Sequence, residues 1–552
     1  MDTDLIEYLK EFLSKNDIDG LLINSTNEFL VEYNMLQLNS RYYVTGFTGS
    51  TGDVLFTNDK IYQFVDTRYH EQADNEVDHD FVEVVKIPLT KFYFNALIEI
   101  LPSYFKLGVV STKTSKGFYD KLEGVLQSKN SSIRLFNTDP VIEYESNKLR
   151  NIDYKVFKVD DNVSGVTADE KYEVIKKYAE CERLNIVVTS LEDIAYLTNL
   201  RSYDFEYSSI FPSKAIINEK EVIIYSDCNL PFIGEHYRVK PLVDFNMDLK
   251  NIVRQDLYID TSRLTIHDFK LINPSNKIKQ SHLNLFKTVK NEKEIEHLKR
   301  CFERADKALK VVYEMINSEK IYSEYDYYQA LVKAMKDNGA LSLSFKPIVA
   351  GGSNTSIIHY THPSKDRMIN NGDMLLVDYG GYYEGGYSTD TTRTFIKGEA
   401  SQEEKVAYTA VLKAFLEAYY TKYKKKSSYF DIDKIARTTI ERNISEDYKF
   451  AHGTGHGVGI AVHEIPPRVS SADCAKTKIL GNTVFSIEPG VYKEGWGGIR
   501  LENTVYATYE EDKIIMNSFS HFPFEIKLVD LSMLNDYEKY YYFKWQKDSC
   551  IQ

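Results

Sequence analysis

Cysteine is scarce in this chain: five residues among 552 (Cys181, Cys228, Cys301, Cys474 and Cys550), odd in number, scattered, and without a C-x-x-C pair. That excludes a disulfide framework and a cysteine-held structural zinc, and it suits a reducing compartment. No run of eighteen apolar residues occurs anywhere, and the opening stretch MDTDLIEYLKEFLSKNDIDG is acidic and amphipathic, with no basic segment leading into an apolar one. Neither a membrane partner nor a secretory leader is expected, and the expected location is cytoplasmic. A long basic block or arginine-rich arm is absent too. With 68 basic against 81 acidic residues the formal net charge is -13, so nucleic acid is not an expected partner.

What the chain does have is length. A single hydrophobic core rarely serves 552 residues, and typical domain sizes suggest about three domains. Hydrophobic content of 43% with 27% charged residues is ordinary for a globular protein. The 42 tyrosines are a heavy bias that reads as genomic composition rather than chemistry.

The first part, residues 1–155, reads as an α/β unit: a helix over 4–14, a strand in DGLLINS, then two apolar runs joined by the turn TND. The pattern recurs over 156–285. There LNIVVTSLEDIAYLTNLRSYDFEYSSIFPSKAIINEKEVIIYSD gives a strand, a helical run ending at an arginine-containing loop, and two strands joined by NEKE. Two copies of one small fold are expected. A third region, 286–525, opens on a capping box, Asn291 with Glu294, and a stripe of Ile295, Leu298, Phe302, Ala305, Leu309, Val312 and Ile316 at helical spacing. Strands are expected in MLLVDY, STDTTRTF, TVFSIE and IRLENTVYA, and a helix over about 402–421. Residues 526–552, polar and aromatic, read as a docking tail that a dimer could use.

In the third region VDYGGYYEGGYSTDTTRTF sets Asp378 at the end of an apolar strand and Asp390 twelve residues later. Aspartate is a poor strand former, so each needs a solvent-facing position or something to bind. His359, His362, His452, His456 and His463 fall in the same region. AHGTGHGVGIAVHE places three of them among glycines too dense for a helix, which implies a loop or bulged strand in close backbone contact. Glu488 precedes Pro489, and alternation in GGIRLENTV puts Arg500, Glu502 and Thr504 on one strand face. Asp378, Asp390, His456, Glu488 and Glu502 make four carboxylates and one imidazole, and four negative charges balance two divalent cations. Singly, each acid reads as a solvated strand or turn residue; together they point to a binuclear metal site.

HYTHPSKDRMINNGDMLLVDYGGYYEGGYSTDTTRTF, HGTGHGVGIAVHE, SIEPGVY and GIRLENTV resemble the catalytic domain of the M24 metallopeptidases, the pita-bread enzymes. GFTGSTGDVLFTNDKIYQFVDTRYHEQA, DIAYLTNLRSYDFEYSSIFPSKAII and FEIKLVDLSMLNDYEKYYY resemble the remaining parts of the three-domain aminopeptidases P within that family. The resemblance implies a mixed α/β (α+β) chain, two creatinase-like N-terminal α/β domains followed by a pita-bread catalytic domain, and a homodimer. It implies that Asp378 holds one metal, that His456 and Glu488 complete the other, and that Asp390 and Glu502 bridge both. It further implies metal-assisted hydrolysis of the first peptide bond of a substrate with proline second, with Glu488 shuttling the proton. His359 and His463 look like the substrate histidines and His452 like the one lining the proline pocket. Arg500 either orients a metal-ligand carboxylate or makes a plain structural salt bridge. The hard donor set favours two Mn²⁺, with Zn²⁺ or Co²⁺ able to bind. Two alternatives stay open: an Xaa-Pro dipeptidase, which the seven-residue step from His456 to His463 resembles, and a non-catalytic scaffold that uses the fold for binding.

Overall fold

The computed structural model describes residues 2–89, 91–178 and 185–549. Cys228, Cys301 and Cys474 are free thiols; Cys181 and Cys550 lie outside the described residues. The chain forms two compact units, one of Met1–Lys158, Val166–Glu206 and Ile210–Leu283, the other of Val159–Gly165, Tyr207–Ser209 and Asn284–Gln552. Among the described residues no helix is long and apolar enough to cross a membrane.

The first unit begins with α1 (Thr3–Lys15), whose N-terminus is capped by the Asp2 carboxylate and whose Leu5, Leu9 and Leu13 are buried on one face. Its first sheet contains β1 (Gly20–Ile23), β2 (Asp53–Thr57), β3 (Ile61–Val65), β4 (Val82–Lys86), β5 (Lys106–Val110) and β6 (Ser132–Phe136), in the order β4-β3-β2-β1-β5-β6. The second contains β7 (Asn185–Val188), β8 (Lys214–Asn218), β9 (Val222–Tyr225), β10 (Tyr237–Lys240), β11 (Asp256–Ile259) and β12 (Lys277–Gln280), in the order β10-β9-β8-β7-β11-β12. In each sheet the first strand pairs antiparallel with the second and the second with the third, while the other three pairs are parallel. The coarse repeat in the sequence is therefore a repeat of strand order and direction. Both hairpins turn where TND and NEKE predict, with Thr57 N–H on Lys60 O and Asn218 N–H on Glu221 O at 3.0 Å each.

The long helix of the second unit is α2 (Glu292–Ile316), where the Asn291/Glu294 capping box forms and the seven apolar stripe residues are all buried. Helix α3 (Glu324–Asp337) follows. Strands β13 (Ile348–Gly351), β14 (Met374–Tyr379) and β15 (Thr391–Ile396) make one sheet in that order. After α4 (Gln402–Tyr420) come β16 (Tyr423–Lys424), α5 (Tyr429–Asn443), β17 (Gly455–Gly457), β18 (Glu464–Val469), β19 (Val484–Ile487), the hairpin β20 (Gly490–Lys493) and β21 (Gly497–Arg500), β22 (Asn503–Glu510) and β23 (Lys513–Ser518). The larger sheet runs β16-β23-β22-β19-β17-β18.

Two strand expectations fail here. IRLENTVYA is not one strand: β21 pairs with β20, β22 pairs with β19 and β23, and the chain changes sheets at Leu501 and Glu502. Alternation hides this corner, because Leu501 stays fully buried through it. STDTTRTF likewise enters its strand only at Thr391, leaving Asp390 just outside. The C-terminal segment forms α6 (Asp536–Asp548), which seats Tyr542 and Trp545 in the main core with Phe415, Tyr419 and Phe524.

The segment Tyr207–Ser209 comes from the middle of the second repeat in sequence yet belongs to this unit. The Ser209 hydroxyl lies 2.6 Å from Gly386 O and 3.0 Å from Ile460 O, joining the turn between Asp378 and Asp390 to the loop between His456 and His463.

Candidate metal centre

Asp378 lies on β14 opposite Thr392 of β15, and Asp390 stands one residue before β15 begins. The twelve-residue excursion between them closes through Gly385 and Gly386, at φ +89° and +68°, a conformation that side-chain-bearing residues avoid. His456 is the middle residue of β17, where the register with β18 shifts. The flanking glycines are sterically required: a Cβ on Gly455 would meet Ser486 O at 2.0 Å, and one on Gly457 would meet Glu464 O at 2.1 Å. Glu488 leaves β19 ahead of Pro489 with its N–H on Thr454 O at 2.8 Å, and Glu502 sits at the corner between β21 and β22 with its N–H on Thr392 O at 3.1 Å.

Ligand atoms of Asp390, His456 and Glu502 lie within 4.8 Å of one another. The His456 Nδ1 stands 3.0 Å from Gly457 O, which makes Nδ1 the protonated nitrogen and turns the Nε2 lone pair toward the acids. Nε2 is 3.5 Å from Asp390 Oδ2 and 3.4 Å from Glu488 Oε1, long for hydrogen bonds but suited to ligands around a shared ion. Asp378 Oδ1 and Glu502 Oε1 are buried without a hydrogen-bond partner among the described residues. Bare buried carboxylate oxygens are costly, and a divalent cation is the group that satisfies them. The residues present therefore fit a pair of divalent cations held mainly by oxygen.

Electrostatics give the same reading. Burial first, and then the neighbouring carboxylates, push the Asp390 and Glu502 carboxyls well above their ordinary range. Burial raises Glu488 to about 7; Arg500 pulls it down and Asp378 pushes it up. Without cations these acids repel one another.

A hydrogen-bonded network surrounds the cluster. Arg500, 2% exposed, places Nη2 2.7 Å from Asp378 Oδ2, Nη1 2.7 Å from the Tyr492 hydroxyl and Nε 3.3 Å from Thr392 Oγ1. Thr392 Oγ1 donates to Glu502 Oε2 at 2.6 Å. His452 Nε2 lies 2.9 Å from the Tyr492 hydroxyl, and its ring stands between Phe450 and Tyr492. With Arg500 donating to the Tyr492 oxygen, the Tyr492 proton goes to His452 Nε2, while Nδ1 donates to Gly453 O at 2.7 Å. On α5, Arg437 donates to Phe450 O at 3.0 Å and to His452 O, and Asp433 accepts from Thr454 Oγ1 at 2.7 Å, so one i,i+4 pair fixes the approach to His456. The loop onward to His463 is held by the buried Lys290–Glu464 pair and by Ile460 N–H on Glu464 Oε2 at 3.0 Å. His463 meets His456 edge-on, with ring centroids 4.4 Å apart. His359 is half-buried in the turn after the 3-10 segment Gly352–Ser356.

Sequence reasoning missed Tyr492, Thr392, Asp433 and Arg437. The Asp433/Arg437 spacing was legible only as a helix-surface ion pair, since the carbonyls it grips belong to a distant loop. Tyr492 and Thr392 carry no local signal.

Residues 296–509 match the model of metallopeptidase family M24, and residues 6–145 and 150–294 each match a creatinase/prolidase N-terminal domain. A probable Xaa-Pro aminopeptidase P of Coprinopsis cinerea is 28% identical, covering 98% of this chain and 94% of its own length. Xaa-Pro aminopeptidase 1 of Dictyostelium discoideum is 28% identical over 97% of this chain and 91% of its own. The crystal structure of X-prolyl aminopeptidase from Caenorhabditis elegans, described as a cytosolic enzyme with a di-nuclear active site, superposes with a TM-score of 0.90 at 21% identity, covering 99% of this chain and 95% of that one.

Proposed function

We infer that this chain, which belongs to metallopeptidase family M24, is a metallo-aminopeptidase that releases the first residue of peptides with proline second. The observation that carries it is the convergence of Asp390, His456 and Glu502 beside the unsatisfied oxygens of Asp378 and Glu502. Asp378, Asp390, His456, Glu488 and Glu502 would hold the two cations, Asp378 on one side, His456 and Glu488 on the other, and Asp390 and Glu502 shared. Two such cations supply Lewis-acid polarisation and make water a nucleophile near neutral pH. The donor set of four carboxylates and one imidazole is hard and favours Mn²⁺, while Zn²⁺ and Co²⁺ remain competitors by affinity.

The protein's own groups do the rest. Glu488 would take the proton of the attacking water and deliver it to the proline nitrogen. His463 and His359 donate to the scissile carbonyl oxygen as negative charge develops there. Arg500 holds Asp378, and Thr392 holds Glu502, each in one orientation. An Xaa-Pro bond is a tertiary amide without an N–H, so the ring itself must be recognised. His452 between Phe450 and Tyr492 offers an aromatic wall for it.

The test compares an Xaa-Pro-Yaa tripeptide, an Xaa-Pro dipeptide and an Xaa-Ala-Yaa control on protein stripped of metal and reloaded with Mn²⁺, Co²⁺ or Zn²⁺, with Asp378→Asn as the blank. Release of the first residue from the tripeptide, highest with Mn²⁺ and lost in the variant, is the expected result. Cleavage of the dipeptide alone makes it a prolidase, and no metal-dependent cleavage makes it a scaffold.

The working form is a cytoplasmic homodimer. The outer face of α6 exposes Tyr537 (50%), Tyr540 (63%) and Phe543 (51%), a patch that a second copy can cover. Light scattering is expected to give twice the chain mass, and Tyr540→Lys to halve it; a monomeric wild type removes this reading. Free thiols such as the exposed Cys474 suit a reducing cytoplasm, and recovery from the culture medium in cell fractionation would contradict that location.

A further inference from the structure

Helix α3 opens with Glu324, a fully buried carboxylate outside the metal centre. Both its oxygens are filled from one loop. Oε1 accepts from Gly351 N–H at 2.7 Å and Asn354 Nδ2 at 2.9 Å; Oε2 accepts from the Tyr360 hydroxyl at 2.7 Å and Ser364 N–H at 2.9 Å. Four charge-assisted bonds exceed what the start of a helix needs, since Ser323 and Asp326 already form that cap. The donors come from residues 351, 354, 360 and 364, so the stretch they tie down contains His359.

The same loop is built against the metal centre. Gly351 ends β13, the strand beside β14, in which Ile348 lies opposite Asp378. Thr355 Oγ1 accepts from Gly498 N–H at 2.7 Å on β21, the strand that ends at Arg500. A side chain could not be inserted at this contact, because a Cβ on Gly498 would come within 2.4 Å of Thr355 O.

We propose that Glu324 is a positioning residue: its carboxylate holds the loop from Gly351 to Ser364 so that His359 presents its imidazole to the scissile carbonyl. The inference rests on the reading of His359 as a carbonyl-binding histidine. A Glu324 that merely supports the fold stabilises the protein without acting through His359. A Glu324 that positions His359 loses its effect once that histidine is gone.

The experiment is a double-mutant cycle on the full chain loaded with Mn²⁺, using Glu324→Gln, His359→Ala and the pair, with kcat and KM on an Xaa-Pro-Yaa tripeptide, bound Mn²⁺ and the melting midpoint all measured. His359→Ala is expected to lower kcat by about 10²–10³-fold. Glu324→Gln, whose amide N–H faces donors where an acceptor is needed, is expected to lower kcat by about 10–10²-fold, with KM and bound Mn²⁺ unchanged. The pair is expected within about 3-fold of His359→Ala alone. An undiminished effect of Glu324→Gln in the His359→Ala background, or loss of Mn²⁺, overturns the proposal while leaving the histidine reading intact. Unchanged kcat in His359→Ala overturns the histidine reading, and the proposal with it, without touching the metal-centre test at Asp378. If Glu324→Gln fails to fold, Tyr360→Phe removes one of the four donors and runs the same cycle with an expected factor of about 3–10; additivity with His359→Ala is then the contrary result.

Discussion

Glu502→Gln is expected to lower kcat/KM by about 10³-fold or more and, in the same sample, to make the metal-free protein harder to melt. The two effects have one cause. Glu502 is 1% exposed, has one oxygen without a hydrogen-bond partner among the described residues, and stands beside acids whose repulsion, added to burial, drives its carboxyl well above the ordinary range. Binding two cations needs that charge, whereas folding without cations is opposed by it. The amide keeps the acceptor for Thr392 and offers an N–H to the neighbouring carboxylates, so the apoprotein gains ~1–3 kcal/mol. Calorimetry in chelator, set beside bound-metal analysis and the tripeptide assay, reads all three quantities. A variant that melts below wild type without metal would show that Glu502 is a structural acid and not a ligand.

The metal-free protein is also expected to lose stability as pH rises from 6.5 to 8. Glu488 has a folded value of about 7 against 4.5 for the free side chain, and Asp390 and Glu502 are shifted the same way. A carboxyl with a raised folded value binds its proton more tightly in the native state. Its contribution is complete below the unfolded value and is lost as pH climbs from there through the folded one, at about 1.4 kcal/mol per pH unit for each proton the native state holds and the unfolded state does not. The lower limit matters because the buried His297 and the half-buried His70 and His521 have lowered values, and they act in the opposite sense below 6.5. Saturating Mn²⁺ should flatten or reverse the slope, since the ions bind the deprotonated ligands. Melting curves at three pH values, in chelator and in Mn²⁺, decide it; equal slopes in both would mean that the cluster does not bind the ions.

Much of this was legible from local pattern. The Asn291 cap, the stripe through α2 and the two hairpin turns follow from residue spacing alone, because each is satisfied by neighbours within a few positions. Asp378, His456 and Glu488 were legible as oddities, acids and imidazoles set among strand apolars and glycines. The corner at Glu502 was not, because alternation continues through Leu501 while the hydrogen-bonding partners change from β20 to β19 and β23. Tyr492 and Thr392 were invisible for a related reason: the groups they serve, His452 with Arg500 and Arg500 with Glu502, assemble only when several strands meet. The fourfold clamp on Glu324 was hidden likewise, its carboxylate being the first residue of an ordinary-looking helix.

The Ser209 hydroxyl bears on where the catalytic part of the chain can be cut from the rest. In sequence the M24 match begins at residue 296, so the catalytic part looks like a cassette that could be cut out there. In space it includes Tyr207–Ser209, and Ser209 bridges Gly386 and Ile460, the turns on either side of the metal ligands. A cassette cut at the sequence boundary leaves behind the hydroxyl that fastens those turns together. A cut that keeps the catalytic part whole must therefore carry Tyr207–Ser209 with it.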